Sequence, residues 1–510
     1  MPMVNRVLDE TPCPDLTSYI AAGGGVGLQT AVRFGSDGTI EELEAAGLRG
    51  RGGAGFPTAI KWRTVIDATS AGHPTTVVVN GAEGEPGTFK DRAILRANPY
   101  RVIEGALIAA RTIGATRVVI GLRASFDTEI RRVTAALDEM VAAGWLDDVE
   151  VDVVGGPGEY LYGEETGLLE VLDHRQPFPR VTPPYRRGVD EPGGNQQSAG
   201  GVDLAGPGGT DAPPALVNNV ETMAHVAMIL ANGAEWFREL GTVASPGTIV
   251  CTVTGARRLH GVAEFPMGTT LAEVIETIGG STDTEGEPMD EVTHRERRIM
   301  AVLPGVANGI IPGEWIHTEL THEALRAIGS GLGSAGFIVF DDSTDPRSIA
   351  GGVARFLAVE SCGQCEPCKR DGKALDRLIN GDAGDHALTE GVESSVETIA
   401  LEQRLETIID GARCGLAQQQ QTVIGSIVAL FPDRFTEAGL HAAHDSERVH
   451  IAPIADIVNG RATLEDDAID KQPDWSHAAQ DSGRSPAAWL AGREPTVTRV
   501  TIGRTEVAAR

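Results

Sequence analysis

The stretch ESCGQCEPCKRDG, residues 360–372, sets Cys362, Cys365 and Cys368 at C-x2-C-x2-C spacing. A fourth thiol, Cys414, follows about one helix pair later, in ARCGLAQQQQTVIGSIVALF. Three thiolates from one tight loop cap one side of an iron–sulfur cluster, and a fourth from a distant segment closes the opposite side. Two other readings compete. Structural zinc usually takes two separated pairs, because each C-x2-C knuckle supplies one edge of a tetrahedron. A third cysteine two residues beyond such a pair suits a 4Fe–4S cube better. Plain core cysteines are the remaining possibility.

Helical patterns surround the four thiols. GGVARFLAVE precedes the loop, and ALDRLINGDA, VETIALEQRLETIIDGA and QQTVIGSIVALF follow it. Upstream, GTIVCTVTGARRLHGVAEFPMGTTLAEVIETIGG (247–280) reads strand, turn, strand, helix, a β-grasp-like opening, and IMAVLPGVANGIIP and GFIVFDD supply further strands. Further upstream the pattern changes to β–α–β. TTVVVNGAEGEPGTFKDRAIL (75–95) opens as a β-branched strand, NPYRVIEGALIAARTIGA is an amphipathic helix, and TRVVIGL is a strand. A helix and VEVDVVGGPGEY follow. This alternation predicts a mostly parallel sheet covered by helices.

Three glycine-rich turns lie in that α/β part. In GLRGRGGAGFPTAIKW (47–62), Gly50, Gly52 and Gly55 fit G-x-G-x-x-G. The dinucleotide fingerprint needs a strand immediately before it, and here TIEELEAAGL, with Ile40, Leu43, Ala46 and Leu48 on one helical face, precedes it. The physics of the loop still holds: its exposed N–H groups let a ligand approach closely and lead into a helix start at Pro57-Thr58. Lys61 falls one turn into that helix, placed to meet a phosphate or to lie solvated. Asn80, Glu83 and Glu85 sit at a strand exit, where cofactor loops of open α/β sheets lie. They suit either a solvated acidic patch or hydrogen bonding to a polar ring edge or ribose hydroxyls. Glu164-Glu165-Thr166 would open the helix after GGPGEYLYG, where carboxylates also suit the dipole. Asn218 and Asn219 stand at another helix entry. Residues 186–214 are a long Gly/Pro-rich loop of the kind used as a lid or docking segment.

The chain has 510 residues, 41% hydrophobic and 23% charged, with 63 glycines, so it is multi-domain and globular. A net charge of −29 repels phosphate backbones and anionic lipid, which argues against nucleic-acid binding. Of six cysteines four belong to the candidate cluster, leaving Cys13 and Cys251 as free thiols. This pattern suits a reducing, cytoplasmic compartment. The N-terminus lacks the layout of a signal peptide. No apolar run reaches the roughly 18–20 residues of a membrane span, so direct membrane insertion is not expected.

LRGRGGAGFPTAIKW, NGAEGEPGTFKDR, GEETGLLE, VNNVET and ESCGQCEPC occur in this order. Together they resemble the flavin- and NADH-binding subunit of respiratory complex I and the related diaphorase subunits of NAD-linked hydrogenases and formate dehydrogenases. The resemblance runs from about 40 to 435. It implies a Rossmann-like FMN domain, a β-grasp (ubiquitin-like) domain and a C-terminal four-helix bundle carrying one 4Fe–4S cluster. The expected division is an N-terminal helical segment at 1–45, an FMN/NADH domain at 46–245, a β-grasp domain at 246–335, the bundle at 336–440 and a tail at 441–510. By motif matching, Gly50, Gly52, Lys61, Asn80, Glu83, Gly163, Glu164, Val217, Asn218, Asn219 and Thr222 would line the flavin site, with Lys61 on the FMN phosphate. Phe56, Glu85, Glu165 and Tyr185 would lie where the family receives NAD(H). Glu85 and Glu165 would position the nicotinamide by hydrogen bonding. Cys362, Cys365, Cys368 and Cys414 match the cluster ligands. A subunit of this kind hands electrons to partners, here expected to be a 2Fe–2S thioredoxin-like subunit and a larger iron–sulfur or molybdenum-type catalytic subunit.

Some positions depart from the family pattern. Ala82 stands where a flavin-contacting carboxylate is usual, Thr64 where an aromatic is common, and Thr182 where a basic residue is found. These departures keep open an electron-transfer module that has lost nicotinamide binding and takes electrons from a protein donor. A structural zinc-bearing scaffold is the other alternative.

Overall fold

Valine-rich runs too short for helices build the first sheet. In the computed structural model, which describes residues 3–69, 75–189, 213–280, 298–381, 397–441 and 448–502, these runs are β1 (Thr76–Gly81), β2 (Arg117–Arg123), β3 (Glu150–Gly156) and β4 (Ala215–Asn219). They pair in parallel in the order β3-β2-β1-β4. Val77, Val79, Val118 and Ile120 point into one core, with the helices Val26–Ala46, Pro99–Ile113 and Val220–Asn232. Val78, Val119 and Val217 point into the other, under the helix Glu165–Leu172. Both faces are covered, which is why these strands read as unbroken apolar runs. ALVNN is β4, and Asn219 at its end caps the helix Val220–Asn232, the helix entry expected at Asn218 and Asn219.

The second sheet contains β5 (Thr248–Gly255), β6 (Gly261–Pro266), β7 (Ile299–Leu303), β8 (Ile311–Pro312) and β9 (Gly336–Asp341), in the order β6-β5-β9-β7-β8. β5 and β9 are parallel and the other pairs antiparallel. The helix Leu271–Gly279, opened by a Thr270/Glu273 capping box, packs on this sheet. This is the β-grasp arrangement. The helices Pro346–Glu360, Glu366–Asn380, Glu397–Thr407 and Leu416–Leu430 then pack around one apolar core.

Three expected boundaries need correction. The 1–45 segment is not separate: its helix Val26–Ala46 buries Leu28, Ala31, Ile40 and Leu43 in the core of the first sheet. The 335/336 division cuts in front of a strand, because β9 pairs with both β5 and β7; the β-grasp unit closes at 341. The tail, given no structure from sequence, folds back over the whole chain. Its hairpin, β10 (Ile454–Val458) with β11 (Arg461–Leu464), receives Arg92 on the carbonyls of Ile454 and Ala455 at 2.6 and 3.0 Å. Lys471 donates to Glu360 at 2.9 Å in a buried pair. β12 (Thr498–Ile502) adds an antiparallel edge to β3. Most of the 186–214 loop lies outside the described residues. Among the described residues no helix is long and apolar enough to cross a membrane.

Candidate functional site

In the order β3-β2-β1-β4 the chain leaves β1 in one direction and returns as β4 on its other side, and open α/β sheets bind ligands at the carboxyl ends of the strands flanking such a reversal. Asn80 lies at the end of one of these strands and Asn219 at the end of the other. Asn80 Nδ2 donates to the Gly163 carbonyl at 2.8 Å. Asn219 caps the helix Val220–Asn232 by accepting from Glu221 N at 3.0 Å, and its Nδ2 donates to Asp91 at 2.6 Å. Asn218 accepts the buried Trp62 indole N–H at 2.9 Å. Thr222 Oγ1 accepts Arg51 N at 2.9 Å, fastening the glycine loop to that helix. Val217 is fully buried beneath them.

The loop itself is shaped by its glycines. Gly50 N closes it on the Phe56 carbonyl at 2.9 Å. Gly55 has φ +63°, and a Cβ there would lie 2.2 Å from the His322 ring of the β-grasp domain. Gly52 passes so close to Asn219 that a Cβ would lie 3.1 Å from that side chain. At Gly163 a Cβ would meet nothing within 4 Å: open space lies against bare backbone. Backbone N–H groups, an amide pair, a lysine and open space beside glycine suit a flat polar ring carrying a phosphate, so these residues fit FMN.

The structure brings Lys61 and Glu165 together as an ion pair, joining a residue expected at the flavin phosphate to one expected at the nicotinamide. Glu164 is the N-cap of the helix Glu165–Leu172, with Oε2 accepting from Thr166 N at 2.9 Å and Gly167 N at 2.7 Å. Burial pushes its carboxyl up. Glu83 is turned away from the crevice. Both its oxygens take donors from the chain, Asp91 N at 2.7 Å and Arg92 Nε at 3.0 Å, so its carboxylate anchors the helix Lys90–Ala97. Phe56 is 52% exposed and Tyr185 37%; Tyr185 lies under the Arg186 guanidinium at 5.9 Å. Ala82 is a core residue packed with Val78 and Leu168, so a carboxylate there would be a buried charge.

Glu85 stands where three domains meet. Its Oε1 accepts from Val306 N of the β-grasp domain at 2.6 Å, and its Oε2 from the Tyr160 hydroxyl at 2.6 Å. Tyr160 also lies 3.3 Å from Gln419 Oε1 on the helix Leu416–Leu430 and edge-on to Phe356 at 5.4 Å. Burial raises the Glu85 carboxyl.

The four cysteines are free thiols, with Cys362 and Cys368 buried and Cys365 and Cys414 partly so. Burial and then the neighbouring sulfurs push Cys368 up to about 12. Cys414 is likewise pushed up to about 12, first by burial and also by Cys362 and Cys365. Three thiols from one loop and a fourth just before the helix Leu416–Leu430 form a donor set that fits an iron–sulfur cluster. Among the described residues no three His, Cys, Asp or Glu side chains converge as ligands of a single ion must; a cube takes its ligands one per corner. Lys369 holds the end of the preceding helix, donating to the carbonyls of Ala358 at 2.9 Å and Ser361 at 2.8 Å. The tail covers the loop: Ala487 N donates to Cys362 O at 2.8 Å, and Gly363, with φ +80°, admits Ser485 where a Cβ would lie 2.3 Å away.

Sequence reasoning missed a buried ionic cluster under the glycine loop. Lys90 is fully buried, 2.8 Å from Asp91 Oδ1 and 2.9 Å from Glu221 Oε2, and donates to Asn219 at 3.0 Å. Burial alone would pull the ammonium down; Asp91 and Glu221 outweigh it and hold it up. Burial pushes Glu221 up, but Lys90 and His225 bring it to about 2. Burial lowers His225 to about 4 and, with Arg49 and Arg51 adding to it, His322 to about 3. Lys90 belongs to NGAEGEPGTFKDR, yet nothing local marks a lysine as buried.

Both histidines are neutral when folded, while an unfolded histidine titrates near its ordinary value of about 6.5. Their contribution to stability is therefore complete above about pH 6.5 and lost as pH falls toward 4. His225 alone costs the fold about 2 kcal/mol by pH 5 at about 1.4 kcal/mol per pKa unit. Urea midpoints at pH 7.5 and pH 5 check this, with His225→Gln expected to flatten the difference.

Two family models match the chain: the Nuo51 FMN-binding domain over residues 43–228 and the NADH-ubiquinone oxidoreductase-F iron-sulfur binding region over 348–438. The second F-type NADH-quinone oxidoreductase subunit of Rhizobium meliloti (strain 1021) is 36% identical over 401 residues, 75% of this chain and 87% of the relative. The NADP-reducing hydrogenase subunit HndC of Solidesulfovibrio fructosivorans is 31% identical over 428 residues, 82% of this chain and 80% of the relative. In a crystal structure of an H2-reduced NAD+-reducing NiFe hydrogenase, one chain superposes with a TM-score of 0.67 at 31% identity. The match covers 86% of this chain and 66% of that one, just under two thirds of its length.

Proposed function

Because the chain belongs to the family of FMN- and NADH-binding iron–sulfur subunits that includes the F-type subunits of NADH-quinone oxidoreductase, we propose that its β1/β4 crevice exchanges hydride with NAD(H) and its four-cysteine loop carries the electrons out. It is an NAD-linked oxidoreductase subunit with FMN and a 4Fe–4S cluster, and it works within a larger complex. FMN supplies the conversion between an electron pair taken as hydride and electrons passed singly, and the cluster supplies the one-electron acceptor.

The chain's own residues hold and orient. Gly52 and the following helix entry would offer N–H groups, and Lys61 a cation, to the FMN phosphate, while Gly50 holds the loop closed on Phe56. Asn80, Asn218, Asn219 and Thr222 fix the crevice walls. Gly163, where a Cβ meets nothing within 4 Å, would leave a bound ring's face free of side chain for the nicotinamide. Glu165, paired with Lys61, and Glu85, held by Tyr160 and Val306, would accept hydrogen bonds from a nicotinamide carboxamide and ribose. The observation that carries this reading is the Glu85–Tyr160–Gln419 contact, which joins the crevice edge to the cluster helix. The electrons pass to partner subunits, of which a 2Fe–2S thioredoxin-like subunit and a larger iron–sulfur or molybdenum-type catalytic subunit are the ones proposed.

Anaerobic stopped-flow mixing of the holo-protein with NADH tests the reading. The flavin absorbance is expected to bleach and the reduced cluster to appear by EPR; no bleaching at millimolar NADH overturns it. For Lys61→Ala, the expected outcome is loss of FMN on gel filtration, roughly tenfold or more in Kd, since one charge-assisted phosphate contact is worth about 1.5–3 kcal/mol. The cluster spectrum should be intact. Fluorescence titration with FMN measures it, and an unchanged Kd removes the phosphate role from Lys61.

A further inference from the structure

The run QQQQ at 418–421 follows Cys414, and its four side chains differ in their surroundings. Gln418 is exposed, whereas Gln420, six residues after Cys414, is 0% exposed. Its Nε2 lies 3.4 Å from Cys368 Sγ and 3.4 Å from Cys368 O. Its Oε1 has no partner among the described residues and sits against Gly372, where a Cβ would lie 2.3 Å from it. Gln364 Nε2 similarly lies 3.6 Å from Cys362 Sγ, but is also held by the Pro179 carbonyl at 2.9 Å.

A thiolate bound to iron carries no proton and only accepts, so the amide must face it with N–H. Burying a carbonyl unpartnered is costly; the glycine that makes room for it lets the N–H reach the sulfur. Reduction adds negative charge to the cluster and its sulfurs, and an N–H dipole in a dry site stabilises that state more than the oxidised one. We propose that Gln420 is a positioning residue for the 4Fe–4S cluster, its side-chain N–H bonded to the Cys368 sulfur and holding the cluster's reduction potential up. The proposal rests on the cluster reading above. Failure of that reading would show as no iron and no EPR signal in the unaltered protein, whereas failure of the proposal would show as an intact cluster with an unmoved potential.

EPR-monitored redox titration of the holo-protein tests it. Gln420→Leu keeps the shape and removes the N–H. The expected result is a midpoint lowered by about 59 mV, a tenfold weaker hold on the electron for a one-electron couple. Gln418→Leu in the same tract leaves the midpoint unmoved. A wild-type midpoint in Gln420→Leu overturns the proposal. Should Gln420→Leu fail to retain its cluster, the Gln364→Leu protein labelled with 15N at its glutamine side chains decides. There the reduced cluster is expected to keep an amide 15N coupling in ENDOR spectra, and its absence overturns the proposal.

Discussion

Replacing Cys414 by serine removes the 4Fe–4S cluster and leaves FMN bound. Cys362, Cys365 and Cys368 come from one loop, but the fourth corner depends on Cys414, which stands just before the helix Leu416–Leu430. A serine hydroxyl stays protonated near neutral pH and is a harder, poorer ligand for iron than thiolate. The three remaining sulfurs leave one iron open to solvent, so the cube is lost. The FMN crevice hangs on β1, β4 and the loop after Val26–Ala46, which fold around a separate core from that of the bundle. The expected spectrum is a plain flavin without the broad brown absorption, with iron per chain falling from about four to near zero. Flavin leaving together with iron would mean that the two sites are not independently held.

Lys90→Met destabilises the whole chain by about 3–5 kcal/mol, the usual cost of removing one partner from a buried ion pair. Asp91 and Glu221 would then lose the ammonium that lies against both, and Asn219 would lose a donor at the crevice wall. The Lys90–Glu221 contact at 2.9 Å is an ion pair without hydrogen-bond alignment, because Glu221 Oε2 makes no hydrogen bond. Its loss therefore acts through charge. The urea midpoint should drop sharply at pH 7.5. Adding Glu221→Gln should recover part of the loss, since it removes one of the stranded charges. A variant as stable as the parent would show that the lysine is not held charged.

The sequence by itself pointed to the cluster through local cysteine spacing, while FMN and NAD(H) followed from the family resemblance of five motifs in order. C-x2-C-x2-C is a loop geometry whatever surrounds it, whereas the fold sets which N–H groups of the glycine-dense turn before Lys61 stay open, taking Gly50 N to Phe56 and Arg51 N to Thr222. The apolar runs 76–81, 117–123 and 150–156 also declared a two-sided sheet, since period and length are local properties. Tertiary structure decided what each polar side chain faces. Glu83 and Glu85 are two residues apart just past the end of the same strand. The fold turns one into a buried anchor for Arg92 and sets the other at a junction of three domains. Lys61 meets Glu165 across 104 residues, and Gln420 meets Cys368 across 52. The tail's place was equally hidden: its hairpin and β12 acquire partners only through docking onto Arg92, Glu360 and β3. A side chain's partner far along the chain is set by packing, which no local pattern of residues encodes.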